Sequence, residues 1–149
     1  MKVRRGTSAD GQHAIEIWRA AVDATHQFLT PEDRVDIDAF VVDAFPKAEL
    51  WMVDDGNRPV GFLIMDGRII DALFVRPDVH SKGFGSALLA HALALAPDAV
   101  VDASEQATNA LPFYEARGFV RTGRSETDPE GRPYPIVHLR YANKDSVSG

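Results

Sequence analysis

Apolar positions recur near the helical period in the first third of the chain and then switch to strand-like runs. Ala14, Ile15, Ile17, Trp18, Ala21 and Val22 form one stripe, preceded by Thr7-Ser8-Ala9-Asp10. Hydroxyl caps and an early acid favour a helix start there, so a first helix is predicted to run to about Asp23. Thr25 to Leu29 shows no period and reads as a loop. Thr30-Pro31-Glu32-Asp33 opens a second helix, with a hydroxyl cap, proline in the first turn and acids at the positive end of the dipole. That helix carries Val35, Ile37, Phe40, Val41 and Phe45 and stops at Pro46.

Three strands follow, Leu50 to Asp54, Pro59 to Asp66 and Ile69 to Val75, with turn residues at Asp55-Gly56-Asn57 and Asp66-Gly67. Ala72 to Val75 is apolar on both faces and belongs in the middle of a sheet. Gly83 to Leu95 reads as a helix ended by Pro97, and Ala99-Val100-Val101 as a buried strand. Ala107 to Arg117 is helical, with Gly118 suited to the left-handed residue after it. Phe119 to Thr122 and Ile136 to Tyr141 close the pattern, and Lys2 to Arg5 opens it. The order β-α-α-β-β-β-α-β-α-β-β describes one mixed α/β domain over residues 1–141, with a polar tail over 142–149.

Composition narrows the functions available. At 149 residues the chain suits one domain, and 45% hydrophobic residues suffice for a core without staples. The absence of cysteine excludes disulfide scaffolds, cysteine-ligated metals and thiol nucleophiles. Net charge is −6, from 16 basic and 22 acidic residues, which disfavours nucleic acid and anionic membranes as partners. No apolar run reaches membrane-spanning length and the N-terminus lacks a signal-peptide core, so a cytoplasmic protein is expected. His13, His26, His80, His91 and His138 show no paired ligand spacing, so no metal is expected.

The segment from Leu73 to Leu89 carries the clearest chemistry. A buried strand ends, a short loop follows, and Gly83 and Gly85 open a helix beside Lys82. Glycines let the backbone approach a ligand, and the first helical turn offers unpaired N–H groups and partial positive charge. Together they suit a pyrophosphate, although the same residues could form a plain turn with a solvated lysine. Lys82 precedes the glycines, which excludes a Walker A loop, and Leu88 stands where a Rossmann fingerprint needs a small residue. A second segment, Asn109 to Phe119, puts Phe113 and Tyr114 on a helix after a buried strand. A tyrosine hydroxyl there can protonate a leaving group, or the pair can simply pack in the core.

Together the two segments resemble the GNAT superfamily of acetyl-CoA-dependent N-acetyltransferases, over nearly the whole chain. Gly83-Phe84-Gly85 matches the Arg/Gln-x-x-Gly-x-Gly/Ala loop, with His80 at the Arg/Gln place and Ser81 where Gly is common. Asn109, Ala110, Phe113, Tyr114 and Gly118-Phe119 loosely match the Asn-x-x-Ala-x-x-Phe-Tyr-x-x-x-Gly-Phe helix. Ala24-Thr25-His26, Asp71 to Phe74, Gly123 to Glu126 and Pro133-Tyr134-Pro135 resemble the small bacterial YjaB-type subgroup. The resemblance implies a single mixed sheet with helices on both faces and a V-shaped splay between the fourth and fifth strands.

It further implies acetyl-CoA held at Leu73, Phe74 and Val75, along His80, Ser81, Lys82, Gly83, Phe84, Gly85 and Ser86, and by Asn109, Phe113 and Tyr114. Tyr114 occupies the family's general-acid position. Candidate bases are Glu105, Asp71, Asp23 and His26, each of which could equally be a solvated or satisfied group. Asp71 precedes Leu73 by two residues, which on a regular strand gives both the same face. Trp18, Phe28 and Tyr134 could wall the acceptor site, with Asp23, Glu105 and His26 near it, and Trp18 could equally be core. The activity implied is direct transfer of acetyl to a primary amine of a small molecule or protein lysine, by a monomer or homodimer. A non-catalytic coenzyme-A-binding module on the same fold is the alternative, and a longer acyl group a third possibility.

Overall fold

The computed structural model describes residues 1–142, and the remainder of the predicted tail lies outside the described residues. Seven strands form one mixed sheet: β1 (Val3–Arg5), β2 (Trp51–Asp55), β3 (Arg58–Asp66), β4 (Ile69–Val75), β5 (Val100–Ser104), β6 (Phe119–Ser125) and β7 (Ile136–Tyr141). Their spatial order is β1-β2-β3-β4-β5-β7-β6. Neighbours are antiparallel except β4 and β5, which run parallel. The helices are α1 (Asp10–Thr25), α2 (Pro31–Ala44), α3 (Phe84–Leu95) and α4 (Ala110–Ala116). The expected element order and the splay between the fourth and fifth strands are both present.

Two apolar layers hold the sheet. One packs Ala14, Ile15, Ile17, Trp18 and Val22 of α1 on Met52, Phe62, Ile64 and Ala72. The other packs Leu88, Leu89 and Ala92 of α3 on Val53, Val60, Leu63, Ile70 and Val75. Gly61 makes the second layer tight, since a Cβ there would stand 3.0 Å from both Leu88 Cδ1 and Val53 Cγ1. The α1 stripe places Trp18 one turn from Ala14, Ile15, Ala21 and Val22, and all five are buried. Trp18 is therefore a core residue under the Arg34 guanidinium (4.8 Å), which corrects its assignment to an acceptor wall.

Both helix starts carry caps, though of different kinds. Thr30 Oγ1 accepts from the Asp33 N–H at 3.1 Å, as its sequence predicts. At α1 the N-cap is Ala9, which makes no side-chain bond. Instead Asp10 reaches back to accept from the Thr7 N–H at 2.8 Å, and also binds Arg4. Only Val41 of α2 is buried, while Val35 and Phe40 are 66% and 69% exposed. Ile37, Val41 and Ala44, spaced at i, i+4 and i+7, make a narrow stripe packed on the α1 layer, and Val35 and Phe40 lie off it. The helix is anchored at its end, where Phe45 meets Phe62 edge-on.

Candidate active site

Strands β4 and β5 share two rungs, Ile69 with Val100 and Ile70 with Val101. Past Val101 they part, and a cleft of about 360 Å³ is lined by β4, β5, the loop into α3, α4 and the end of α1. Opposite this point β3 meets β4 with a register shift: Ile64 pairs Ala72 and Met65 pairs Ile70, leaving Asp71 without a partner. Such a bulge inserts one residue and interrupts alternation. Ile70 consequently shares a core layer with Val75, and Ala72 lies in the other. Regular alternation therefore does not place Asp71 relative to Leu73, although both line the cleft. Partial desolvation, with Asp66 nearby, pushes the Asp71 carboxyl above its ordinary range.

Every coenzyme candidate from Leu73 to Ser86 lines the cleft except Lys82, as do Asn109, Phe113 and Tyr114. Lys82 is exposed beside it. Gly83 caps α3 at φ 89°, a left-handed conformation, and Ser81 adopts φ 68°. A non-glycine residue held there stores roughly 1–2 kcal/mol of backbone strain, concentrated in the loop expected to bind anions. Gly85 is a packing requirement, because a Cβ would lie 3.1 Å from the Phe113 ring.

Sequence reasoning missed Arg117, which lies one residue beyond α4. Its guanidinium stacks 4.0 Å from the centre of the Phe113 ring. It donates to Ser86 Oγ at 3.0 and 2.9 Å and to the Phe113 carbonyl at 2.9 Å. Arg117 lines the cleft at the start of α3, so a fixed cation stands where the sequence suggested Lys82. Ser104 Oγ, also on the lining, is buried without a protein hydrogen-bond partner.

Tyr114 is 7% exposed and packs edge-on against Phe113 (5.1 Å) and Phe119 (5.2 Å). Burial pushes its phenol well above the usual tyrosine range, so it remains protonated at neutral pH.

The remaining candidates divide by their partners. Glu105 stands outside the lining and pairs with Arg124, whose hydrogen bond holds the carboxyl below its usual range. Asp23 pairs with Arg34 at 2.8 Å and is also away from the lining. Phe28 and Tyr134 form an aromatic row with His26, at centroid distances of 5.2 and 5.7 Å, and of the three only His26 reaches the cleft. Tyr134 accepts from the Thr30 N–H and donates to Asp33, fastening the segment before β7 to the start of α2.

A network that no sequence signal announced joins β5, β7 and β6. Asp102 is the first β5 residue beyond the last β4–β5 rung and lines the cleft. Its carboxylate is 2.6 Å from His138 Nδ1, and His138 Nε2 is 2.7 Å from Ser125 Oγ. Asp71 and Asp102 thus put two carboxylates on opposite sides of the cleft where the strands separate.

The chain matches the Acetyltransferase (GNAT) domain model over residues 32–134, and it belongs to that family of acetyltransferases. It is 45% identical to the peptidyl-lysine N-acetyltransferase YjaB of Salmonella typhimurium, over 95% of this chain and 98% of the relative. The solution structure of apo YjaB from Escherichia coli superposes with a TM-score of 0.89 at 42% identity, covering 95% of this chain and 97% of that one. The PaiA N-acetyltransferase of Thermoplasma acidophilum, solved with coenzyme A, shares the fold with a TM-score of 0.68 at 16% identity, over 95% of this chain and all of the other. Among the described residues no helix is long and apolar enough to cross a membrane, and no cluster of metal-binding side chains occurs.

Proposed function

We propose that the protein transfers acetyl from acetyl-CoA to lysine side chains of proteins, by direct attack of the amine, with Tyr114 protonating the departing thiolate. The observation carrying this reading is the cleft itself. An anion-suited loop and Arg117 stand near one part of its lining, and a neutral buried phenol and two carboxylates stand on others. The first part suits a pyrophosphate, the phenol suits a thiolate, and the carboxylates suit an ammonium. The buried Ser104 hydroxyl, lacking a protein partner, supplies a donor for the amides or carbonyl of the coenzyme arm. Backbone N–H groups at Leu73 to Val75 would polarise the thioester carbonyl. Lysine as acceptor agrees with the activity in the names of the YjaB relatives.

The test pairs thermal melts with a transfer assay. Acetyl-CoA at a hundred times its Kd is expected to stabilise the fold by about 2.7 kcal/mol through mass action. Lysine peptides should then release free thiol in the presence of enzyme. Stabilisation without thiol release would favour a coenzyme-binding module, and an unchanged melt at saturating acetyl-CoA would remove the coenzyme from the reading.

Arg117→Ala should weaken acetyl-CoA binding by roughly 10- to 100-fold, the range of one or two charge-assisted hydrogen bonds. The fold should be little affected, since the side chain lies on an exposed residue. Lys82→Ala, outside the lining, should change affinity less. Titration calorimetry of the two variants decides the order, and a larger loss with Lys82→Ala would reverse the assignment.

A further inference from the structure

The last turn of α1 fixes the protonation of a cleft-lining imidazole. Thr25 Oγ1 donates to the Ala21 carbonyl at 2.8 Å, and the same oxygen lies 2.7 Å from His26 Nδ1. A hydroxyl carries one hydrogen. With that hydrogen directed to Ala21, the oxygen can only accept from the ring, so Nδ1 bears the imidazole proton. A neutral ring then carries its lone pair on Nε2. The backbone of His26 is fixed by its N–H bond to Val22 O at 2.7 Å, and its ring leans on Phe28. Burial holds the imidazole below its ordinary value, which keeps it neutral at pH 7.

We propose that His26 Nε2 is the base that takes the proton from the acceptor nitrogen, and that Thr25 is the positioning residue that keeps Nε2 bare. The inference rests on the acetyl-transfer reading and adds the proton acceptor to it. The other titratable groups on the cleft are Asp71, His80, Asp102, Tyr114 and Arg117. Asp102 is engaged by His138 and Arg117 by Ser86, while Tyr114 holds its proton. Asp71 is the rival base on the cleft, since partial burial raises its carboxyl, and the His26→Gln rate decides between the two; His80 lies in the loop assigned to the coenzyme.

The protons balance as follows. The acceptor enters as R–NH3+ and leaves as an amide bearing one N–H, so nitrogen loses two protons. The first goes to solvent as the free amine forms between the two carboxylates. The amine lone pair then makes the C–N bond while the carbonyl pair moves onto oxygen. The nitrogen, now cationic and far more acidic, passes its second proton to His26 Nε2. As the carbonyl re-forms, the C–S bond breaks and sulfur takes the Tyr114 proton. His26 returns its proton to the Tyr114 phenolate through solvent, and one proton per turnover reaches bulk water.

Nitrogen-15 NMR of the whole protein above pH 7 reads the tautomer directly. His26 should show a protonated Nδ1 and a bare Nε2, becoming mixed in Thr25→Val and recovering in Thr25→Ser. A protonated Nε2 in the wild type overturns the proposal. Single-turnover transfer from acetyl-CoA to a lysine peptide tests the chemistry. His26→Gln keeps a polar group without the basicity, so the rate should fall roughly 10²–10⁴-fold with acetyl-CoA affinity unchanged. The acidic limb of the wild-type pH–rate profile should change shape in the same variant. A His26→Gln rate within about threefold of wild type, far short of that range, overturns the base assignment alone. A wild type that acetylates no amine overturns the underlying reading and the base with it.

Discussion

Tyr114→Phe is expected to lower the single-turnover rate of acetyl transfer by roughly 10²–10⁴-fold, the usual contribution of a positioned general acid. The ring contacts with Phe113 and Phe119 do not involve the hydroxyl, so the variant should keep its fold and its affinity for acetyl-CoA. Burial raises the phenol, which keeps the proton on it at neutral pH and available when the C–S bond breaks. The phenolate left behind is disfavoured by the same burial, so its reprotonation from solvent must follow promptly. The loss should appear in kcat, with KM little changed, because the hydroxyl acts in the transition state. Single-turnover measurement separates the chemical step from slow product release. A rate within about threefold of wild type would assign the proton to water instead.

The parts of this architecture that were legible in the chain are those set by local periodicity and turn chemistry. The stripe through Ala14, Trp18 and Val22 specifies a buried helix face, and Thr30-Pro31 specifies where the next helix starts. Gly83 and Gly118 were readable because both stand at φ values, 89° and 99°, that side chains resist. What stayed hidden depends on residues that meet only after the sheet assembles. Glu105 looked like a free carboxylate until β6 brought Arg124 against it. Asp102, His138 and Ser125 lie on three strands, and nothing local links them. The bulge at Asp71 exists because β3 and β4 have unequal residue counts between pairing points, which alternation along one strand does not reveal. Arg117 carries no local signal, since its bonds to Ser86 require α3 and α4 to be side by side. Thr25 and His26 are adjacent in sequence, yet their hydrogen bond acquires meaning only once His26 is seen on the cleft wall.

Asp10→Asn should destabilise the fold by about 2–4 kcal/mol near neutral pH, because it removes the acceptor half of a nearly buried ion pair. The Asp10 side chain is 3% exposed and receives Arg4 through both oxygens, at 2.7 and 3.2 Å. Arg4 also grips Asp54 of β2 at 2.7 and 3.1 Å, so one guanidinium ties β1, β2 and the start of α1 together. The Thr7 N–H adds a bond of 2.8 Å, and Asn at position 10 would lose charge assistance in all of these. Arg4 is itself one-third exposed, and solvent recovers part of its share, which keeps the expected loss toward the lower half of the range. The Arg4 hydrogen bonds, followed by the Thr7 N–H, hold the Asp10 carboxyl far below its ordinary value despite its burial. A depressed carboxyl contributes stability that is complete above the unfolded value near 3.9 and declines as pH falls toward the folded value. Wild type and Asp10→Asn should therefore differ most in urea midpoint above about pH 5, and converge as the pH drops below about 4. A gap that persists unchanged down to pH 2.5 would mean that the carboxylate charge contributes nothing, and that the variant is weakened by shape alone.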